Sequence, residues 1–191
     1  FDYLFIHIPK TGGISFKFNV LYNPYLTKKI AIYHKINYPP KPNTDIDIFS
    51  ENKKMFTLLR EPYKTIISSY YHFNHFLKMS LVDFCKKYQN IQTKFLLGYD
   101  IFSQYEVTND DVNRIKKLID KKNLTVGIHQ TRKILEIYNL LDLDHSLVDN
   151  YILNKKVGVN YKLSDISYEL KKLIKAKNKF DNHLYKYVLE S

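Results

Sequence analysis

Two short stretches of the chain carry residue types suited to holding an anion. The first is Ile8-Pro9-Lys10-Thr11-Gly12-Gly13-Ile14-Ser15. An apolar run ends there, two glycines permit a tight turn, and a segment with helical spacing follows. That order aims backbone N–H groups and the positive end of a helix dipole at an anion. Lys10 adds a point charge, and Thr11 and Ser15 add hydroxyl donors. Because the lysine precedes the glycines, the stretch is not the triphosphate loop GxxxxGK[ST]. The second stretch runs from Leu59 to Tyr71, LREPYKTIISSYY. Arg60 stands where an apolar run ends, and its planar fork can grip a phosphate through two parallel bonds. Ser68 lies eight positions on, about two helical turns, on a face that can turn toward the same anion.

A group-transfer site also needs a base, and histidine titrates closest to neutrality. His34 closes the apolar run Lys29 to His34 and is the candidate. His7 falls inside the first apolar run and is expected to be structural. His72 and His75 are three apart and share a helix face, but no third metal ligand accompanies them, so they are read as acceptor contacts. Cys85 is the sole cysteine. It excludes an intrachain disulfide and a multi-thiolate zinc site, and it has no base partner, so an apolar core role is expected.

These residues must be positioned by regular elements. Tyr3 to Ile8, Lys29 to His34, Lys54 to Leu59 and Leu124 to Ile128 read as strands. Ile14 to Tyr22 has helical spacing. Pro62 suits a helix start, and the helix extends to Leu77. Ser80 is expected to cap a short helix reaching Tyr88, and Thr108 one that runs to about Lys121. Thr131 to Leu141 forms another helix. Ser164 and Asp165 open a helical region to Leu189, bent near Asn178. The stretch from Tyr38 to Asn52, with Pro39, Pro40 and Pro42, reads as a surface loop. Strands separated by helices predict an α/β fold of three layers, a central parallel sheet flanked by helices. Ligands in such sheets bind beyond the carboxyl ends of the strands, which is where both anion stretches fall.

The chain has 191 residues, a length that suits one domain. Its 30 basic residues outnumber 19 acidic ones, giving a net charge of +11. That excess favours an anionic partner. Only three of the bases are arginines (Arg60, Arg114, Arg132), which argues against a nucleic-acid reader built on bidentate contacts. No apolar run is long enough to cross a membrane, and no signal peptide is visible, although the first residue is Phe1 rather than methionine.

Together the two stretches resemble the carbohydrate sulfotransferases that use 3′-phosphoadenylyl sulfate (PAPS), the branch containing heparan sulfate 2-O-sulfotransferase. IPKTGGIS resembles that family's 5′-phosphosulfate loop, PKTGGTS. LREPYKTIISSYY resembles its 3′-phosphate element, R-[DE]-P-x-x-R-x-x-S-x-Y. Weaker likeness runs through YHKINY, KFLLGYD, LTVGIHQTRKIL and NKFDNHLYKY. The resemblance implies a P-loop-like nucleotide-binding sulfotransferase fold and transfer of a sulfuryl group to a hydroxyl, on a carbohydrate by expectation. PAP is then the product, and no metal takes part. It assigns Lys10 to the leaving phosphate and sulfuryl oxygens, and Thr11, Gly12, Gly13, Ile14 and Ser15 to the 5′-phosphate. Arg60 and Ser68 take the 3′-phosphate. His34 matches a histidine that serves as base in the family's segment YHGHVSY.

Two departures stand out. Ile14 replaces the usual threonine, and Thr65 stands where the family often has a second arginine, beside Lys64. The stretch Lys155 to Lys162 occupies the place where relatives cover the cofactor. Golgi relatives are membrane-anchored and often disulfide-bonded, features this chain lacks. A soluble cytoplasmic enzyme is therefore expected, with a Golgi-lumenal domain freed of its anchor as the alternative. No nucleic acid is expected as partner. The competing reading is a basic module that binds nucleic acid or acidic glycan without catalysis. A kinase-like enzyme would need a GK[ST] loop and a magnesium-ligand set, and neither is visible.

Overall fold

A computed structural model of the chain describes residues 2–13, 28–33, 49, 54–129, 131–143 and 166–191. Four strands form one parallel sheet: β1 (Tyr3–Ile6), β2 (Ile30–Tyr33), β3 (Lys54–Leu59) and β4 (Leu124–Ile128). Their spatial order is β2-β1-β3-β4. Between and after them come α1 (Pro62–Leu77), α2 (Leu81–Lys87), α3 (Ile91–Leu96), α4 (Asn109–Asp120), a 3₁₀ turn (Arg132–Ile134), α5 (Leu135–Leu140), α6 (Tyr168–Lys177) and α7 (Lys179–Glu190).

The expected α/β class and parallel sheet are observed, and helices cover both faces. Side chains alternate across a strand, so each strand feeds two layers. Leu4, Ile6, Met55, Leu59, Val126 and Ile128 join one core with Ile66 of α1, Phe84 of α2, Phe95 of α3, Ile115 of α4, Ile174 of α6 and Leu184 of α7. Phe5, Phe56 and Leu58 point the other way, onto Ile134, Ile137 and Tyr138. Cys85 is fully buried in the first core, and burial pushes its thiol up to about 12, as an inert apolar residue requires.

Several expected boundaries shift for identifiable reasons. β1 ends at Ile6, not Ile8. The Ile8 N–H turns back to the Ile6 carbonyl (3.2 Å), and Pro9 has no N–H to extend the ladder. His7 is therefore not inside the strand but on the loop that follows it. The Thr131–Leu141 segment opens as a 3₁₀ turn because Ile134 N–H bonds the Thr131 carbonyl (3.3 Å), three residues back. The bend near Asn178 is a full break, with Asn178 ending α6 and starting α7. Ser164 and Asp165 lie outside the described residues, and α6 is capped instead by Ser167, whose hydroxyl accepts from Leu170 N–H. The Ile14–Tyr22 helix and the proline-rich loop also fall outside the described residues, save Phe49.

Helix α3 is an element that the spacing of apolar residues does not announce. It is held by helix α7 from across the chain. Asp181 accepts from the N–H groups of Gln92 (3.1 Å) and Thr93 (2.8 Å) and from the Thr93 hydroxyl (2.7 Å). In return the Asn90 side-chain oxygen accepts from the N–H groups of Phe180 (3.0 Å) and Asp181 (3.2 Å). Each helix thus supplies the cap of the other.

The expected caps at Ser80 and Thr108 are both formed. Thr108 makes a reciprocal capping box with Asp111. Thr108→Ala should lower unfolding free energy by about 1 kcal/mol, measured by urea denaturation. An unchanged midpoint would show that Asp111 and Tyr105, which also bond each other, hold the helix start alone.

Candidate functional site

The chain leaves β1 for β2 on one side and returns to β3 on the other, so the strand order reverses between β1 and β3. In open parallel sheets the crevice at such a reversal is the ligand site. The β1–β3 ladder stops at Ile6 and Thr57, whose hydroxyl donates to the Ile6 carbonyl (2.7 Å). β3 continues alongside β4 to the Leu59–Ile128 pair. The backbone therefore parts at this point. The loop 7–13 leaves on one side, and Arg60 stands at the end of β3 on the other.

One hydrogen bond spans the gap. Arg60 donates from its terminal guanidinium nitrogen to the Lys10 carbonyl (3.1 Å). Its Nε is buried with no hydrogen-bond partner among the described residues. Lys10 itself has a left-handed backbone (φ 65°), a conformation that costs a non-glycine residue roughly 1–2 kcal/mol. Among the described residues, neither Lys10 nor Arg60 forms an ion pair with a carboxylate. Burial, then the nearby Arg60 charge, pulls the Lys10 pKa below its usual value. An anion bound where the Lys10 and Arg60 charges act on each other would relieve both repulsion and desolvation.

The glycines of the loop are needed for close approach. A Cβ on Gly12 (φ 91°) would lie 2.2 Å from the His129 ring, and one on Gly13 would lie 2.1 Å from the His7 ring. The two imidazoles thus flank the turn. His7 is buried and stacked on Phe5 (ring centroids 5.5 Å apart), so it cannot yield. His129 follows β4, with its N–H on the Leu59 carbonyl (2.7 Å). Burial first, then the charges of Arg60 and Lys64, lower its pKa to about 4, so it lines the site as a neutral ring. The spacing of residues does not reveal it, because glycine reports only that something must come close.

The remaining expected residues divide. Thr11 is buried, and its hydroxyl donates to the Ile8 carbonyl (2.8 Å), closing the turn. It is therefore not the hydroxyl donor to an anion that the sequence suggests, although no described carbonyl accepts from the N–H groups of Thr11 or Gly12. Ser68 is partly exposed on α1. Thr65 is fully buried and donates to the Glu61 carbonyl (3.3 Å). Lys64 pairs with Glu61 (2.6 Å). Thr65 is therefore turned into its own helix, and Lys64 is engaged by a neighbouring carboxylate.

His72 and His75 are exposed on α1. Partial desolvation of the His72 ring, then the charges of Lys10 and His75, lower its pKa, so the helix carries it within reach of the Lys10 field. No cluster of three metal-ligating side chains occurs among the described residues. Ile14, Ser15, His34 and the stretch 155–162 lie outside them. Tyr33, which precedes His34, ends β2 and accepts from His7 N–H (2.9 Å), at the same edge of the sheet as the loop. No helix among the described residues is long and apolar enough to cross a membrane.

No protein-family model matches the chain, and no curated protein matches it significantly. The chemistry of the site rests on its own geometry: two cations, two N–H groups that no described carbonyl accepts from, and a neutral imidazole at one strand-order reversal.

Two outcomes follow. Gly12→Ala should cost at least about 2 kcal/mol through ring overlap and backbone strain, read as a fall in Tm. An unchanged Tm would mean that His129 moves aside freely. The second concerns pH. The folded His129 resists a proton that the unfolded chain accepts, so its contribution to stability is complete above pH 6.5 and is lost as pH falls toward 4. Denaturation curves between pH 7 and pH 4 should be flatter for His129→Gln. Parallel curves would assign the loss to other groups.

Proposed function

We propose that the chain is a PAPS-dependent sulfotransferase acting on a hydroxyl, with a carbohydrate as the acceptor class, built on a P-loop-like nucleotide-binding sulfotransferase fold. The observation that carries this reading is the Arg60–Lys10 bond across the strand-order reversal. It joins the two stretches that resemble the family's 5′-phosphosulfate and 3′-phosphate elements. PAPS bears anionic groups at both ends of its ribose, which suits two cations held at one crevice.

In the reaction the acceptor oxygen bonds to sulfur, the sulfur–oxygen bond to the 5′-phosphate breaks, and the acceptor proton goes to a base. Lys10 offsets charge growing on the leaving phosphate, and the loop N–H groups hold that phosphate still. Arg60 and Ser68 hold the 3′-phosphate, each charge-assisted bond contributing roughly 1.5–3 kcal/mol. His34 is the proposed base. The work is chiefly placement and charge stabilisation, as in phosphoryl transfer.

A second reading, an acidic-glycan binding module, draws on a separate cleft of about 470 Å³ lined by Lys86, Lys87, Lys94, Lys177 and Lys179 against the single acid Glu106. Lys94 there is already tied to the Ser103 carbonyl (2.9 Å), which weakens the cleft as an anion trap.

Thermal shift decides between them. PAP should raise Tm at micromolar concentration, whereas ATP with magnesium and an oligonucleotide should not; a shift with the oligonucleotide or with acidic glycan alone would favour the binding module. Lys10→Ala and His34→Ala should each reduce sulfation at least about a hundredfold, measured with labelled PAPS. Sulfation close to wild type in His34→Ala would remove that residue from the base role.

A further inference from the structure

Arg60 lies just past the point where β3 has lost β1 as a neighbour, so its own N–H and carbonyl find no strand there. The Gln92 side chain takes the strand's place. Arg60 N–H donates to Gln92 Oε1 (2.9 Å), and Gln92 Nε2 donates to the Arg60 carbonyl (2.9 Å). The amide reproduces both halves of a backbone pairing at one residue. Gln92 is 1% exposed, so both bonds are shielded from bulk water.

Gln92 is itself fixed by α7. Its N–H and that of Thr93 end on the two oxygens of the buried Asp181 carboxylate. Asn90, two residues earlier, is anchored through its N–H on Asn178 (2.7 Å). A continuous set of hydrogen bonds therefore runs from α7 through Gln92 to the Arg60 backbone. From there the guanidinium passes it to the carbonyl of Lys10.

We propose that Gln92 is a positioning residue, held by Asp181, that aims the Arg60 guanidinium at the anion. The role of this anion as the cofactor's 3′-phosphate rests on the sulfotransferase reading; the positioning of Arg60 does not. Both polar atoms of the Gln92 side chain are spent on the Arg60 backbone. Gln92 acts by denying Arg60 the backbone freedom that would swing its fork out of the crevice.

The test compares binding of PAP with that of adenosine 5′-phosphate, which lacks the 3′-phosphate. The wild type, Gln92→Met and Gln92→Glu are measured by calorimetry. Methionine keeps length and packing but removes both bonds; glutamate keeps the acceptor for Arg60 N–H. The preference for PAP should fall about tenfold in Gln92→Met and less in Gln92→Glu, approaching the loss seen in Arg60→Ala. A purely structural role would lower Tm yet leave the preference intact, and that result overturns the proposal. Should Gln92→Met fail to fold, Gln92→Glu carries the same comparison.

A wild type with no preference for PAP would instead remove the cofactor reading. The Arg60 Nε–H resonance, titrated with inorganic phosphate, then decides. A response in the wild type that is lost in the Gln92 variants upholds the positioning role; an equal response, or none in the wild type, ends it.

Discussion

The site depends on one constraint: Lys10 and Arg60 must be brought to the same crevice although, among the described residues, neither has a carboxylate partner. The sheet imposes this by parting β1 from β3 at Ile6 and Thr57 and leaving Lys10 and Arg60 on the two lips of the gap. The arrangement is costly in the absence of an anion. Lys10 is held in left-handed backbone, its ammonium is partly desolvated and feels the Arg60 charge, and Arg60 Nε is buried with no partner among the described residues. Such costs persist only where the surrounding structure over-determines them. Here the surroundings are the His7 and His129 rings against the glycines and the Gln92 amide against the Arg60 backbone.

Much of the frame was legible from local pattern. β3 and β4 have the bounds that their apolar runs suggest, and Pro62, Ser80 and Thr108 start helices where their chemistry favours it. The loop with Lys10, Gly12 and Gly13 and the terminus with Arg60 were also legible, because a glycine pair and a rare arginine at strand ends are unusual locally. What escaped was non-local. Gln92 and Asp181 bond across 89 positions, and Asn90 and Asp181 across 91; no spacing rule joins them. Helix α3 went unseen for the same reason, since the cap that holds it comes from α7 rather than from its own sequence. The use of the Thr11 hydroxyl is also not legible locally, because it can serve the turn as readily as a ligand; here it donates to the Ile8 carbonyl (2.8 Å) and leaves the Thr11 N–H for the anion role.

The neutral state of His129 also follows from the crowding of cations. Burial lowers its pKa, and Arg60 and Lys64 lower it further. An imidazolium there would be a third charge against the same loop. A neutral ring can still donate one hydrogen bond while adding nothing to the repulsion. Lys64, although ion-paired with Glu61, still adds to the positive field at His129.

The exchanged caps of α3 and α7 bear on how the molecule is made. Neither helix start is satisfied until Asp181 meets Gln92 and Asn90 meets Phe180. A chain emerging from the ribosome would already contain Lys10 and Arg60, yet the clamp on Arg60 could close only after residue 181 had cleared the exit. The crevice around Arg60 would therefore mature only some 120 residues after Arg60 itself has been synthesised, once Asp181 is in place to hold Gln92.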